Sequence, residues 1–283
     1  MIALRILTSI SSMVVQNCVY NVVCKKELPT NDHISRFNMI TYFLCAILFG
    51  IGIIGGSISP YTVLLGLLYG SVTALAIAYK MLSLSAGPLN ITLLITSSSM
   101  IIPTMSGVFF GEEFSLAKLG AVIVLIFFIY LSLGRGGDGK INKKWIIYCL
   151  LCFITSGAGG VIQKIHQSSA FKGETNGFLL AAFACSIVYS RIRSKKTFKE
   201  LKFTKKHVLF ALVCGLCTYA MNVINLRLTG LLPSQLFFPL VNGSAIFLGF
   251  LTSWLVFKER LSKRQIIGIC GGFLSLLAVC VVK

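Results

Sequence analysis

Several side chains that can bind a polar solute interrupt long apolar stretches of this chain, at the spacing of a helix face. Asn17 and Asn21 lie four residues apart, and Asn222 and Asn225 lie three apart, so each pair shares one helical face. Amide and phenol groups in hydrocarbon need hydrogen-bond partners. We therefore expect these faces to line a water-filled cavity, whereas the alternative is hydrogen bonding between packed helices. The candidate binding residues are Asn17, Tyr20, Asn21, Lys80, Asn90, Ser97, Tyr219, Asn222, Asn225 and Asn242.

Lys80 is the charged member of this set, and it lies within the apolar run from Ala74 to Leu82. A lysine inside a membrane costs about 2.5–3.5 kcal/mol on insertion scales, so it marks a functional site by default. The alternative is that its long stem carries the ammonium to the membrane interface. All eight acidic residues lie outside the central parts of the apolar stretches. Because exchange of protons for cations typically uses an intramembrane carboxylate, this pattern favours neutral, zwitterionic or anionic solutes.

A second group of residues could control opening rather than binding. Glu112, Glu113 and Glu259 end two of the apolar stretches. They either terminate helices at the membrane interface or form a gate at the rim of the cavity. Pro103 and Pro239 would loosen the helices that contain them and could serve as hinges.

Other chemistry is disfavoured by the residue types present. The cysteine pairs Cys149/Cys152 and Cys214/Cys217 lie inside apolar stretches with no histidine nearby. A structural zinc site needs four ligands, and cysteine also packs as a small hydrophobic residue. The chain has no Walker-type phosphate loop, and the serines at 97–99 have no base beside them. We expect no metal, no cofactor and no enzymatic activity.

The elements that must position these residues follow from composition. Hydrophobic residues make up 56% of the 283 positions, charged residues 12%, and the mean hydropathy is +0.87. Soluble domains carry about 25% charged residues, so the sequence predicts an all-α polytopic membrane protein. Each helix that crosses a membrane takes about 20 apolar residues, which leaves no room for a folded extramembrane domain. The predicted membrane helices are 4–23, 37–56, 61–86, 89–110, 116–134, 145–163, 177–192, 207–230, 235–256 and 265–282.

The net charge of +18 would suggest nucleic acid in a soluble protein. Here most cations lie in short connections between apolar stretches, above all in the run from Arg191 to Lys206. We expect these connections to face the cytoplasm and to contact anionic lipid headgroups, with no nucleic-acid partner. Charge alone then places both termini outside the cytoplasm.

The chain contains an internal repeat of two five-helix halves, 1–134 and 145–283, joined by a basic linker at 135–144. Pro88 precedes Ser97 by nine residues, and Pro233 precedes Asn242 by the same distance. Five is an odd number, so the two halves must cross the membrane in opposite directions. The predicted fold is therefore ten transmembrane helices arranged as two inverted repeats, as in many secondary transporters.

The ends of the fourth and ninth stretches carry a resemblance to a known family. They read Val-Phe-Phe-Gly-Glu-Glu-Phe-Ser-Leu-Ala-Lys-Leu-Gly120 and Leu-Val-Phe-Lys-Glu-Arg-Leu-Ser-Lys-Arg-Gln-Ile-Ile-Gly268. An acidic residue, a Leu-Ser or Leu-Thr pair and a glycine in the next helix resemble the EamA-type carriers of the drug/metabolite transporter superfamily. The first copy is one residue shorter than the second. The resemblance implies ten-helix carriers of metabolites, amino acids, nucleotide-linked sugars or drugs, with both termini inside the cell.

The function that these observations predict is secondary transport of small polar metabolites by alternating access. The alternatives are a channel or a structural membrane partner and, less favoured, an intramembrane enzyme acting on lipid. We expect an integral protein of the cell membrane, plasma or bacterial inner, as a monomer or homodimer. Its partners would be a small-molecule substrate and membrane lipids.

Overall fold

The computed structural model describes residues 2–28, 30–54, 58–111, 116–132, 143–256, 258 and 262–281, and all regular secondary structure in them is helical. Helical segments overlap all ten predicted stretches, with shifted bounds for some, since the helix Asn31–Ile51 begins and ends before the predicted 37–56. The α-helices are α1 (Ile2–Lys26), α2 (Asn31–Ile51), α3 (Pro60–Ala86), α4 (Leu89–Ser97), α5 (Ile101–Ser106), α6 (Leu116–Ser132), α7 (Lys143–Gln167), α8 (Thr175–Arg193), α9 (Lys205–Leu231), α10 (Ser234–Leu255) and α11 (Lys263–Val281).

Seven segments of the described residues are long and apolar enough to cross a membrane. They are α1, α2, α3, the segment Ile91–Phe110, α7, α8 and α9. The predicted linker 135–144 lies outside the described residues except for the start of α7. That all ten stretches cross the membrane stays a prediction.

The fourth stretch is not one continuous α-helix. After α4 the chain tightens into 3₁₀ turns at Ser98–Met100 and Gly107–Phe110, with α5 between them. Thr96 Oγ1 donates to the carbonyl of Thr92 at 2.8 Å, and Ser98 Oγ donates to that of Leu94 at 2.6 Å. Such bonds compete with the helical ladder, and Pro103 has no N–H to donate to it. The break therefore lies where the predicted hinge residue Pro103 is found.

Helix packing joins the two halves of the chain. α3 packs against α7 and α8, and α9 packs against α1 and α2. α2 also packs against α8, α6 packs against α11, and α10 packs against α4 and α11. This arrangement leaves α1, α3, α7, α9 and α10 around a common interior.

The Gly66-x-x-x-Gly70 spacing lies at a contact inside the chain. A Cβ added at Gly66 would lie 2.6 Å from the carbonyl oxygen of Phe178, and one at Gly70 would lie 2.1 Å from that of Ala182. Both acceptors are backbone atoms of α8. Glycine at these positions lets the α3 and α8 backbones approach closely.

The Glu174 carboxylate joins the connection before α8 to the start of α3. It accepts hydrogen bonds from the backbone N–H of Ser59 at 2.9 Å and from Ser59 Oγ at 2.8 Å. Hydrogen bonds from Thr62 and then Ser59 hold the pKa of Glu174 below its ordinary value. Ser59 is the residue preceding the first turn of α3, so the bonds tie the two connections together.

Stability should therefore depend on pH through Glu174. Because its pKa is lower in the folded state, its contribution is complete above the unfolded value, about 4.3, and is lost as the pH falls through the folded value. Thermal unfolding of the wild-type protein and Glu174→Gln is the measurement. We expect the variant to melt at a lower temperature at pH 6 and the difference to shrink below pH 4. A difference that stays constant with pH would contradict this role.

Candidate binding cavity

A cavity of about 230 Å³ lies among α1, α3, α4, α5, α7, α9 and α10. One part of its wall is apolar, with Met13, Met100, Met221 and Phe237 among the lining residues. The polar lining residues are Gln16, Tyr69, Thr73, Lys80, Thr96, Ser97, Ser99, Thr155, Ser156, Gln163, Asn222, Asn225 and Asn242.

A chain of hydrogen bonds crosses the wall of this cavity and is centred on the Tyr69 hydroxyl. Gln163 Nε2 donates to Tyr69 Oη at 2.7 Å, and Tyr69 Oη donates to Asn222 Oδ1 at 2.8 Å. Asn222 Nδ2 in turn donates to the carbonyl oxygen of Thr218 at 2.9 Å. These bonds connect α7, α3 and α9, so the orientation of each amide depends on the other helices.

α1 joins the same network through two further contacts. Gln16 Nε2 donates to Thr218 Oγ1 at 2.5 Å, and Ser9 Oγ donates to Asn225 Oδ1 at 2.6 Å. On the opposite wall, Asn242 Nδ2 donates to the carbonyl oxygen of Phe238 in its own helix at 3.0 Å. The wall thus presents neutral amide and hydroxyl groups held in fixed orientations.

Lys80 supplies the one charge among the described lining residues. Its side chain is half-buried, and none of the ion pairs within the described part of the chain includes it. No acidic residue is among the lining side chains. In a poorly solvated site a positive charge attracts an anionic group far more strongly than in water. The cavity is therefore suited to a small polar molecule that carries a negative group.

Comparison with known proteins identifies the family. Residues 143–281 match the model of the EamA-like transporter family. The chain belongs to the drug/metabolite transporter superfamily. EamA-like proteins are generally membrane transporters. Because seven described segments are also long and apolar enough to cross a membrane, the chain is an integral membrane protein.

The fold of this EamA-like protein is also found in a solved structure. One crystal structure is similar to it with a TM-score of 0.65 at 14% sequence identity, covering 98% of this chain and 98% of that chain. At this identity the similarity establishes the fold alone. No curated protein matches the chain.

The structure brings together half of the ten candidate binding residues of this EamA-like protein. Those that line the cavity are Lys80, Ser97, Asn222, Asn225 and Asn242. The predicted hinge residue Pro103 also lines it. The side chains of Asn90 and Pro239, and all of Glu112, Glu113 and Glu259, lie outside the described residues. The binding and gating roles of all these residues stay predictions.

The remaining four candidates do not line this cavity. Asn17, Tyr20 and Asn21 are at most 3% exposed and are buried between helices, and the Tyr219 ring packs on Phe49 with centroids 4.7 Å apart. On α1 the cavity is lined by Met13 and Gln16 instead. Successive residues of a helix are about 100° apart, so the face expected from Asn17 and Asn21 is rotated away from the cavity.

Sequence reasoning missed Tyr69, Gln16 and the whole contribution of α7. Gln163 lies beside the charged Lys164 at the end of the predicted stretch 145–163, so the sequence alone does not place it in a cavity. The signal was present in α7, where Cys152, Ser156, Gly159 and Gln163 recur at steps of three or four residues and all line the cavity. Small and weakly polar residues at this spacing also pack helices together, so the pattern alone does not distinguish the two uses.

The Tyr69 hydrogen bonds give a testable prediction. Tyr69→Phe leaves Gln163 Nε2 and Asn222 Oδ1 without their shared partner, and an unpaired buried polar group costs about 1–3 kcal/mol. We expect a lower thermal unfolding temperature for the purified protein. The control is Tyr79→Phe, because the Tyr79 ring stacks on Tyr148 and its hydroxyl has no hydrogen-bond partner within the described residues. Equal unfolding temperatures for the two variants would show that the network does not stabilise the fold.

Proposed function

We propose that the chain is a secondary transporter that moves small polar metabolites across the membrane by alternating access. The observation that carries this proposal is the cavity, which combines one cation with neutral hydrogen-bonding groups. Sites for drug-sized ligands have volumes of about 300–1,000 Å³, so a cavity of about 230 Å³ suits a smaller molecule.

The pairing of the two halves supports inverted repeats, on which alternating access is commonly built. α3 and α9 each have 27 residues, and they begin 145 positions apart, at Pro60 and Lys205. The same offset relates Lys80 to Asn225 and Ser97 to Asn242, and all four line the cavity. Under the repeat, α1 corresponds to α7 and α3 corresponds to α9. The contact of α1 with α9 therefore corresponds to the contact of α7 with α3, and both contacts are extensive.

The substrate class follows from the charge of the cavity. Lys80 attracts a carboxylate or another anionic group, and the described lining residues include no carboxylate to balance the charge of a cation. The amides and hydroxyls supply donors and acceptors for a zwitterion or a neutral polar molecule. We therefore propose amino acids and related carboxylate solutes over lipophilic cations.

The hinge of the transporter is proposed at the broken helix that contains Pro103. Gly160 of α7 lies against this residue, and a Cβ added at Gly160 would be 2.8 Å from Pro103 Cγ. A small residue opposite a proline allows the two segments to change angle without a collision between side chains. The backbone break between α4 and α5 supports movement at this point.

Untargeted metabolite profiling tests the proposed function without a prior choice of substrate. Cells that overproduce the chain are compared with cells that carry the empty vector, both inside the cells and in the medium. We expect the levels of one class of small polar metabolites to change in opposite directions in the two compartments. A change confined to membrane lipids would contradict transport and favour an enzyme that modifies lipid.

A further inference from the structure

Five buried polar atoms on α1 and α2 have no hydrogen-bond partner among the described residues. They are Asn17 Oδ1, Tyr20 Oη, Asn21 Oδ1, Asn38 Oδ1 and Tyr42 Oη. Each of these side chains is at most 3% exposed. Buried polar atoms in folded proteins are nearly always paired. Such a concentration marks a place where water or a polar solute would complete the hydrogen bonds.

Asn17, Tyr20 and Asn21 share one face of α1, and Tyr20 places this face against α9 and against side chains of α2. Tyr20 contacts Phe37 of α2 edge-on, with ring centroids 6.3 Å apart, and packs in one cluster with Cys24 of α1 and Cys214 of α9. Asn38 follows Phe37 directly, and Tyr42 lies one turn further along α2, where its ring also packs on Phe183 of α8 with centroids 5.8 Å apart. The contact is thus a sealed interface whose interior contains amide and phenol groups.

Along this interface side-chain hydrogen bonds join α2 to α9, whereas α1 is bonded to α9 at the two ends of the stretch, through Gln16 and through Glu27. Thr41 Oγ1 donates to the carbonyl oxygen of Ala211 at 3.2 Å, and Cys45 Sγ donates to that of Gly215 at 3.3 Å. Between these ends, Asn17 Oδ1, Tyr20 Oη and Asn21 Oδ1 have no hydrogen-bond partner among the described residues. Movement of α1 away from α9 therefore has to break the bonds at Gln16 and Glu27, whereas the stretch between them is held by packing.

The interface lies between the cavity and the C-terminal end of α1. Gln16 lines the cavity, and the unpaired groups begin with the next residue and continue towards that end of the helix. We propose that this contact is the closed gate of the transporter on the side of the α1 C-terminus. When α1 separates from α2 and α9, the five groups become the water-exposed lining of the path by which a polar solute leaves or enters the cavity. This inference rests on the proposed function.

The energetics favour such a movement. Closing the interface removes water from five polar groups and gives them no protein partner, which opposes the gain from apolar packing. The free-energy difference between the closed and open arrangements is therefore smaller than it would be for an apolar interface of the same size. Without that balance, a gate made of interlocked helices would stay closed.

An ion-pair cluster, called here the latch, holds the outer end of the gate. Glu27 Oε1 accepts from Lys206 Nζ at 2.5 Å, and Glu27 Oε2 lies 3.2 Å from His207 Nε2. The backbone N–H of Thr204 donates to His207 Nδ1 at 3.1 Å, so Nε2 carries the proton that is donated to Glu27. The latch joins the end of α1 to the start of α9.

Native cysteines make the gate testable in the full-length chain. Cys24 and Cys214 are buried in the gate, and Cys149 is equally buried beside Trp145, away from the gate. Ser156→Cys places a reporter on the cavity wall. Membrane vesicles of both orientations are treated with a membrane-impermeant thiol reagent, and peptide mass mapping gives the modification rate at each cysteine.

The expected result is modification of Cys24 and Cys214 from the side of the α1 C-terminus, with Cys149 protected. Glu27→Gln, which breaks the latch, should raise the Cys214 rate about two- to fivefold, the range for a surface ion pair. Protection of Cys214 at the level of Cys149, while Ser156→Cys reacts, would overturn the gate and leave the transporter proposal intact. Protection of all positions, Ser156→Cys included, would contradict a water-accessible cavity and with it the proposed function. Reaction of Cys149 at the Cys214 rate would also overturn the gate, because it would indicate general loosening of the fold.

Discussion

Replacing Lys80 by methionine is expected to lower uptake of carboxylate solutes about ten- to hundredfold, the range for a lost hydrogen bond to a charged group. Lys80 is the one charge among the described residues of the cavity wall. No acidic side chain in the described part of the chain pairs with it, so its ammonium is available to a substrate carboxylate. Methionine keeps the length and apolar character of the stem and removes the charge. The measurement is uptake of radiolabelled amino acids and dicarboxylates into proteoliposomes.

Two controls separate a lost charge from a damaged fold. Lys80→Arg keeps the positive charge and should retain most of the uptake. The thermal unfolding temperature of Lys80→Met should be unchanged or higher, because a charge is costly in a membrane interior. Unaltered uptake by Lys80→Met would show that the ammonium reaches the membrane interface and does not contact the solute.

Gly70→Val is expected to abolish the folded protein. A Cβ at this position would lie 2.1 Å from the carbonyl oxygen of Ala182 and 2.7 Å from its Cα. Both are backbone atoms, so only separation of α3 from α8 could relieve the contact. Overpacking of this kind exceeds the usual cost of about 1–3 kcal/mol.

Gly50→Val is the matched control, because a Cβ there meets nothing within 4 Å. Both positions are in helices, so the cost of valine in a helix is common to the two variants. Yield of monodisperse protein in size-exclusion chromatography is the measurement. Similar yields from the two variants would contradict the close contact of α3 with α8.

The helical fold could be predicted from the sequence because each helix is marked by a continuous apolar stretch. The predicted stretch 61–86 corresponds to α3 (Pro60–Ala86), and 235–256 corresponds to α10 (Ser234–Leu255). The break inside 89–110 was not predicted as such. The hydroxyls of Thr96 and Ser98 donate hydrogen bonds to backbone carbonyls one turn earlier. These bonds compete with the helical backbone bonds, and hydropathy carries no information about them.

The cavity was only partly predictable, since hydropathy locates a helix in the membrane but does not determine its rotation. Asn222 and Asn225 face the cavity as expected, whereas Asn17 and Asn21 face a neighbouring contact. A rotation of one residue, about 100°, decides between the two outcomes on α1. That rotation depends on how α9, α3 and α10 pack against α1, which no local pattern encodes. The role of Tyr69 was missed because its partners Gln163 and Asn222 are distant in the sequence.

Solute counterflow in proteoliposomes tests the central claim most directly. Vesicles that contain the purified chain are loaded with an unlabelled solute found by metabolite profiling and diluted into a trace of the same labelled solute. Alternating access couples exit of the unlabelled solute to entry of the labelled one. We therefore expect the label to rise transiently above its equilibrium level without ATP. A label that only approaches equilibrium, at a rate independent of the unlabelled solute inside, would contradict alternating access and indicate a channel.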